Sequence, residues 1–152
     1  MTRRYRGRPA DRELWITARE EAAHAFAAVA CPNTTFDSVS IVREGTSLGR
    51  ILRVHGPEME VAVVMLCGAL ATDVKALKYG RMPKMDEDDM NGVRHLNAQE
   101  RQRALQSALD FMHQPNGTNI VDALAEALIQ QQSLTYMEVL ERVAALAEEE
   151  RS

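Results

Sequence analysis

The segment ITAREEAAHAF, residues 16–26, combines two adjacent carboxylates with an imidazole, side chains that can bind a metal ion or transfer a proton. Glu20 and His24 are four residues apart, so on a helix they project from the same face, with Glu21 at its flank. Two ligands at this spacing can grip one metal ion while the carboxylate after the first ligand points at water beside the ion. The same spacing occurs in ordinary glutamate-rich helices as a weak surface contact, so both interpretations stay open.

The helix that must hold these residues is predicted to begin at Asp11 and to end before Pro32. Aspartate is a favourable N-cap residue, and proline cannot continue a helix. Between them, apolar residues recur every three or four positions, which is the periodicity of a helix with one buried face. These residues are Leu14, Ala18, Ala22, Ala25 and Val29.

A change of period after this helix predicts a small antiparallel β-hairpin. The strands are expected within FDSVSIVR, residues 36–43, and LGRILRVHG, residues 48–56, where apolar residues approach alternation. The segment EGTS between them contains Gly45 and is typical of a hairpin turn.

The rest of the chain predicts four more helices. The first spans Glu58–Leu77, is apolar nearly all round and should be the buried central helix. Helices over Asp88–His113 and Ile120–Gln132 follow. Thr135 and Glu138 form the pattern of a capping box at the start of the last helix.

Composition limits the class of protein. With 152 residues, a net charge of −4 and no linker-like segment, the chain predicts one domain over residues 11–152 after a flexible basic arm over residues 1–10. No run of about 18 apolar residues is present, which argues against a membrane span, and the negative charge gives no general attraction to nucleic acid. Two distant cysteines and the lack of a secretory signal favour the cytoplasm.

Four segments, in order, resemble the peptidase domain of FtsH-type ATP-dependent zinc proteases. Residues 16–26 resemble that family's helix A-x-H-E-A-G-H-A, and residues 36–51, FDSVSIVREGTSLGRI, are similar to V-x-K-V-T-I-x-P-R-G-x-A-L-G. Residues 65–80, MLCGALATDVKALKYG, resemble L-x-G-G-R-A-A-E-x-x-x-F-G. Residues 124–143, LAEALIQQQSLTYMEVLERV, resemble the closing segment A-x-x-L-L-E-x-E-T-L-x-G-E-E-L. The resemblance implies a mainly α (α+β) domain of FtsH peptidase type with an inserted antiparallel hairpin or small sheet.

The resemblance also implies a set of site residues. His24 matches the family's second histidine ligand, Glu21 matches its general base, and Glu20 stands at the position of the first histidine ligand. The family's third ligand is an aspartate in the context S-N-D-I/L-x-x-A-T. The matching stretch, MDEDDMNGVRHL, aligns that aspartate best with Asp89, and Asp88 is the fallback.

Two carboxylates and one imidazole would make an oxygen-rich site. Such a site can bind zinc, although harder ligands shift affinity toward manganese or magnesium. The negative charge of a carboxylate in place of a histidine ligand would make the ion less effective at lowering the pKa of its bound water. The alternative is that the protein binds no metal at this site.

Two functions follow from the resemblance. The first is a zinc metallopeptidase that hydrolyses peptides or unfolded protein segments without an ATPase, since no G-x-x-x-x-G-K-[ST] loop occurs. Its substrate is expected to add as an extended strand at the edge of the hairpin. The second is a catalytically inactive pseudo-peptidase that acts as a binding or scaffold module. Assembly into a homo-oligomer is left open by either function.

Other titratable groups are expected to have ordinary roles. The acidic stretch DEDDMNG fails as an EF-hand, because the twelfth position is Ala98 where a glutamate ligand is needed. It is instead typical of a helix N-terminus. Cys67 is predicted to be an inert core thiol, and the remaining histidines are predicted to face solvent. These are His55, His95 and His113.

Overall fold

The computed structural model describes residues 9–42 and 49–151, which form seven helices and one three-stranded antiparallel sheet. This confirms the prediction of a mainly helical protein with a small antiparallel β element. The helices are α1 (Pro9–Ala30), α2 (Glu58–Thr72), α3 (Val74–Tyr79), α4 (Glu87–Asn91), α5 (Ala98–Met112), α6 (Gly117–Gln131) and α7 (Tyr136–Arg151). The strands are β1 (Ser38–Ser40), β2 (Arg50–Leu52) and β3 (Ser133–Thr135).

Helix α1 lies at the centre of the fold and packs most extensively against α2 and α6. It begins at Pro9, two residues before the predicted N-cap, and ends at Ala30, just ahead of Pro32. Proline suits the first turn of a helix because its missing N–H has no partner there in any case. The basic arm was predicted over residues 1–10, of which residues 1–8 lie outside the described ranges. Small buried residues on α1, such as Ala18 and Ala22, let the neighbouring helices approach closely.

The sheet has the strand order β2-β1-β3, with both pairings antiparallel. Val39 in the middle strand pairs with Ile51 on one side and with Leu134 on the other. The predicted hairpin strands are therefore present, while their predicted turn, EGTS, falls outside the described part of the chain. The third strand was not predicted, because three residues between two helices carry too little periodicity to be recognised.

The prediction of one helix over Glu58–Leu77 was wrong, since α2 and α3 are separated at Asp73. The Asp73 carboxylate accepts a hydrogen bond of 3.1 Å from the Ala76 backbone N–H and so caps α3. Aspartate competes with the helical backbone in this way, which ends one helix and starts the next. The buried character of α2 was predicted correctly. None of the described helices is long and apolar enough to cross a membrane.

The prediction of one helix over Asp88–His113 was also wrong. Asn97 forms a complete capping box with Glu100, which starts α5 and separates it from the short helix α4. At the start of α4, the Asp86 carboxylate accepts a hydrogen bond of 2.8 Å from the Asp89 N–H. This cap fixes the orientation of α4 relative to the residues that precede it.

The last two helices follow the predicted pattern. Helix α6 begins at Gly117, three residues before the predicted start. The predicted capping box before α7 is confirmed: Thr135 Oγ1 accepts from the Glu138 N–H at 3.2 Å, and the Glu138 carboxylate accepts from the Thr135 N–H at 3.0 Å. Arg19 joins α1 to α6 through a 2.9 Å ion pair with Asp122.

Candidate metal centre

The chemistry-bearing face of α1 is turned into the protein. His24 is 1% exposed and Glu21 is 6% exposed, whereas Glu20 is half-buried at the rim. A surface pair of the ordinary glutamate–histidine kind would stand in water, so burial on this scale excludes that interpretation for His24. Buried titratable groups need partners, which makes the surroundings of this histidine informative.

The His24 ring is oriented by helix α2. Its Nδ1 atom lies 2.8 Å from the Val64 backbone carbonyl oxygen. Because a carbonyl oxygen can only accept, Nδ1 carries the proton in this contact. A hydrogen bond from one ring nitrogen to a carbonyl is the usual means by which proteins fix the other nitrogen for metal binding. The geometry therefore leaves Nε2 as the nitrogen that faces the cluster of carboxylates.

Gly68 on α2 makes room for the ring. A β-carbon at this position would fall 2.1–2.3 Å from three atoms of the His24 imidazole. Any side chain would therefore displace the ring, so α2 can approach His24 this closely only with glycine at the contact. The sequence predicted neither this contact nor the Val64 hydrogen bond, since both depend on how α1 and α2 pack.

Helix α4 brings the predicted third ligand to the same point. Asp89 is 5% exposed, and its Oδ1 atom lies 3.2 Å from His24 Nε2. Glu20 Oε1 lies 4.0 Å from the same nitrogen. The fallback residue, Asp88, is exposed but lines the pocket beside them. The three residues predicted as ligands, Glu20, His24 and Asp89, thus lie together in the structure.

The contact between His24 and an ionised Asp89 requires a proton or a cation between Nε2 and Oδ1. If the imidazole is neutral with its proton on Nδ1, the Nε2 lone pair points at a carboxylate oxygen, and two acceptors would face each other. The contact is favourable when a proton or a metal ion lies at Nε2. In the ion-free protein a proton fills this role: burial acts to lower the pKa of His24, but the hydrogen bond with Asp89 and the charges of Glu21 and Asp89 outweigh it and raise the pKa to about 10.

Two carboxylate oxygens in the cluster are buried without a hydrogen-bond partner among the described residues. They are Glu21 Oε2 and Asp89 Oδ2. Nearly all buried polar atoms in folded proteins are hydrogen-bonded, so two orphaned oxygens beside one imidazole need an explanation. A bound cation would give such an oxygen a partner, and the donor set of carboxylates plus one imidazole suits a divalent ion. The residues present therefore fit a metal.

The carboxyl groups of α1 are strongly perturbed. Burial raises the pKa of Glu20 to about 8, with a contribution from Asp89 that His24 partly offsets. Burial likewise raises the pKa of Glu21 to about 7, with His24 opposing and Asp89 reinforcing the shift. A low-dielectric site disfavours the charged form of a carboxyl group. Ionising these carboxyl groups therefore costs free energy, and strongly shifted pKa values of this kind cluster at functional sites.

A pocket of about 320 Å³ opens onto the cluster. Strand β2 forms one wall, and α1 and the segment around α4 form the others. Gly49 holds the start of this wall against α1, since a β-carbon there would fall 2.9 Å from Thr17 Cγ2 and 3.2 Å from Glu21 Cγ. The pocket is large enough for a few side-chain or backbone atoms of a ligand next to Glu21, His24 and Asp89.

Asp86 is a candidate ligand that the sequence analysis missed. The possible ligand atoms form two groups, each with all atoms within 4.8 Å of one another: Glu20, Glu21 and His24 in the first, and Glu20, Asp86 and Asp89 in the second. The two groups share Glu20. The sequence signal for Asp86 was present, because an aspartate three residues before another acidic residue is a helix N-cap pattern. Its proximity to Glu20 depends on the packing of α4 against the rest of the protein.

The remaining titratable residues behave as predicted. His55, His95 and His113 are all exposed, and His95 lies 3.6 Å from the exposed Glu58 carboxylate. Cys67 is fully buried, and burial raises the pKa of its thiol, so it is an inert core residue. In comparisons with known proteins, the chain matches no protein-family model and no curated protein.

Proposed function

We propose that this protein is a metal-dependent peptidase domain of the kind found in FtsH-type proteases, with Glu20, His24 and Asp89 as ligands of a divalent ion. The observation that carries the proposal is the 3.2 Å contact between His24 Nε2 and Asp89 Oδ1. These residues come from helices far apart in the chain, and the resemblance assigned both as ligands. Accidental similarity of helical segments gives no reason for such convergence.

The orientation of His24 supports the same assignment. The hydrogen bond to Val64 O holds the ring with Nε2 directed at Asp89, and Gly68 leaves the space that the ring needs. The matched family segment contains glycine at this part of the helix. A buried imidazole held by a backbone carbonyl and surrounded by carboxylates is pre-organised for a cation.

Glu21 is placed to accept a proton. It follows the first ligand position, and its Oε2 atom is buried beside the pocket without a partner among the described residues. A carboxylate oxygen in this position takes the proton that water loses as it attacks a peptide carbonyl, and later returns it to the leaving amine. A bound divalent ion would supply a Lewis acid that polarises the carbonyl and lowers the pKa of water. Zinc is the ion proposed, with manganese or magnesium as alternatives for an oxygen-rich site.

The position of strand β2 favours an extended peptide as the proposed substrate. It is one of the two outer strands in the order β2-β1-β3, and its residues Arg50, Ile51 and Leu52 line the pocket. A substrate that paired with the outer side of β2 would run along the pocket and bring a peptide bond near Glu21. Only an unfolded or flexible segment can adopt the extended conformation that strand addition needs. Peptides and unfolded protein segments are accordingly the proposed substrates.

The test combines metal analysis with peptide hydrolysis. Wild-type protein is expected to bind at least one equivalent of Zn²⁺ or Mn²⁺ and to cleave an unstructured fluorogenic peptide. Glu21→Gln should reduce kcat at least 100-fold while metal content is retained. The change removes the group that accepts the proton but keeps the three proposed metal ligands. Glu13→Gln is the matched control. Glu13 is an exposed glutamate on the same helix, so its replacement should leave kcat and metal content unchanged. Cleavage that persists in Glu21→Gln would contradict the proposed role.

A second candidate function is a non-catalytic binding module with the same fold. One observation favours it: burial raises the pKa of Glu20 to about 8, so near neutral pH this carboxyl holds a proton and the cluster carries less negative charge without a metal. The replacement Glu20→His separates the two functions. If wild-type protein binds no metal and Glu20→His binds zinc, the site has lost its ion and the binding-module function is supported.

A further inference from the structure

The carboxylates of the metal centre outnumber what one divalent ion needs. Glu20, Glu21, Asp86 and Asp89 all lie in the two overlapping groups around Glu20. With a neutral imidazole, one divalent ion would leave these four carboxylates with a net charge of about −2, whereas two divalent ions would neutralise them. Excess charge of one sign is costly where groups are removed from water.

The two carboxylate oxygens of Asp89 have different surroundings. Oδ1 lies against His24 Nε2 at 3.2 Å, so it belongs to the first ion. Oδ2 is buried and has no hydrogen-bond partner in the described ranges, although the whole residue is only 5% exposed. A carboxylate that used Oδ1 for the first ion would still leave Oδ2 unsatisfied. This orphaned oxygen is the observation that points to a second ligand.

Asp86 is held beside Asp89 by the cap of α4. Its Oδ1 atom accepts the 2.8 Å hydrogen bond from the Asp89 N–H, which ties the Asp86 carboxylate to the backbone of Asp89. Ligand atoms of Asp86, Asp89 and Glu20 lie within 4.8 Å of one another, the spread expected of donors around one cation. Asp86 also lines the pocket, so an ion could reach this position from solvent.

We propose that Glu20, Asp86 and Asp89 form a second cation site beside the first, with Glu20 and Asp89 as carboxylates common to both sites. The inference rests on the proposed metal centre and extends it to a two-metal centre. All three donors are carboxylates, so the second site takes a hard divalent cation, Mn²⁺ or Mg²⁺, in preference to a thiophilic one. The second ion would neutralise the cluster and hold α4 against α1.

The test is the stoichiometry of Mn²⁺ binding, measured by isothermal titration and by electron paramagnetic resonance. Wild-type protein should bind two equivalents and give the signal of two coupled ions. Asp86→Asn should bind one equivalent and lose the coupling. Asparagine caps helices as well as aspartate does, so this change keeps α4 intact while it removes one negative ligand. Asp88→Asn is the matched control, because Asp88 lines the pocket but lies in neither group of ligands.

The outcomes separate this inference from the proposed function. One equivalent in both wild type and Asp86→Asn would overturn the second site and leave the single-metal peptidase intact. Loss of the second equivalent in Asp88→Asn but not in Asp86→Asn would also overturn it. Two equivalents, reduced to one by Asp86→Asn, would support the two-metal centre even if no peptide were cleaved. In that last case it is the peptidase proposal that fails.

Discussion

Two pockets of equal volume, about 320 Å³ each, open beside helix α1, and they differ in how their carboxylates are satisfied. One contains His24 and its surrounding acids. The other lies further along the same helix and is lined mostly by apolar residues, with Glu60 and Cys31 among them. The lining residues of the second pocket are Ala27, Ala30, Cys31, Pro32, Met59, Glu60, Val63, Ser107 and Phe111.

Glu60 and Glu21 show the difference between these pockets. Glu60 accepts three hydrogen bonds, from the Asn33 N–H at 3.0 Å, Asn33 Nδ2 at 3.2 Å and Thr34 Oγ1 at 2.9 Å. Partial burial acts to raise the pKa of Glu60, but these hydrogen bonds outweigh it and lower the pKa. Glu21 has a buried oxygen without such a donor, and its pKa is raised.

The comparison separates a carboxylate whose hydrogen-bond donors are explained by the fold from one whose buried oxygen has no donor among the described residues. Glu60 joins the turn after α1 to the first turn of α2, so its donors are explained by the fold. Nearby Cys31 is also unreactive, since burial and the charge of Glu60 raise the pKa of its thiol to about 11. The buried Oε2 atom of Glu21 has no hydrogen-bond partner within the described chain, and a bound cation would offset the cost of that burial.

The largest effect is expected from Gly68→Ala, because Gly68 leaves the space that the His24 ring occupies. The new methyl group would overlap the ring, so we expect a loss of about 3 kcal/mol in the free energy of unfolding, measured in urea. Metal binding should fall even where the variant is folded. Gly117→Ala is the control: its β-carbon would come no closer than 3.3 Å to a neighbour, Gln114 Cγ, so about 1 kcal/mol or less should be lost. Equal losses in the two variants would contradict the proposed importance of the His24 contact.

A smaller effect is expected from Glu60→Gln in the apolar pocket. Loss of the charged acceptor should reduce the free energy of unfolding at pH 7 by about 1 kcal/mol. Because the folded pKa of Glu60 lies below its ordinary value of 4.5, this stabilisation is present above pH 4.5 and is lost as the pH falls through the folded pKa. The difference in stability between wild type and variant should therefore shrink in acid. A difference that stayed constant from pH 7 to pH 3 would show that the charge has no part in it.

An effect of similar size but opposite sign is expected from Glu21→Gln in the presence of a chelator. The change replaces a buried charge by a neutral amide of similar shape, so the free energy of unfolding should rise by about 1 kcal/mol at pH 8. Glu13→Gln on the exposed face of α1 should change it little. If Glu21→Gln destabilised the ion-free protein as Glu60→Gln does, the contrast between the two pockets would be lost.

The sequence predicted the elements whose causes are local. The end of α1 ahead of Pro32, the hairpin strands and the capping box of Thr135 and Glu138 all follow from nearby residues. The breaks at Asp73 and Asn97 were missed although their signals are local too, because apolar periodicity on both sides outweighed a single capping residue in the prediction. Strand β3 was missed because its identity comes from pairing with β1, far away in the chain.

The sequence by itself determined that Glu20 and His24 share one face of a helix, since 3.6 residues per turn places positions four apart together. Tertiary structure decided what surrounds this face. It buried His24 against Gly68 and Val64, brought Asp89 to its free nitrogen and left two carboxylate oxygens without partners. The physical reason is that helical periodicity depends on neighbours in the chain, whereas burial and convergence depend on how α1, α2 and α4 pack.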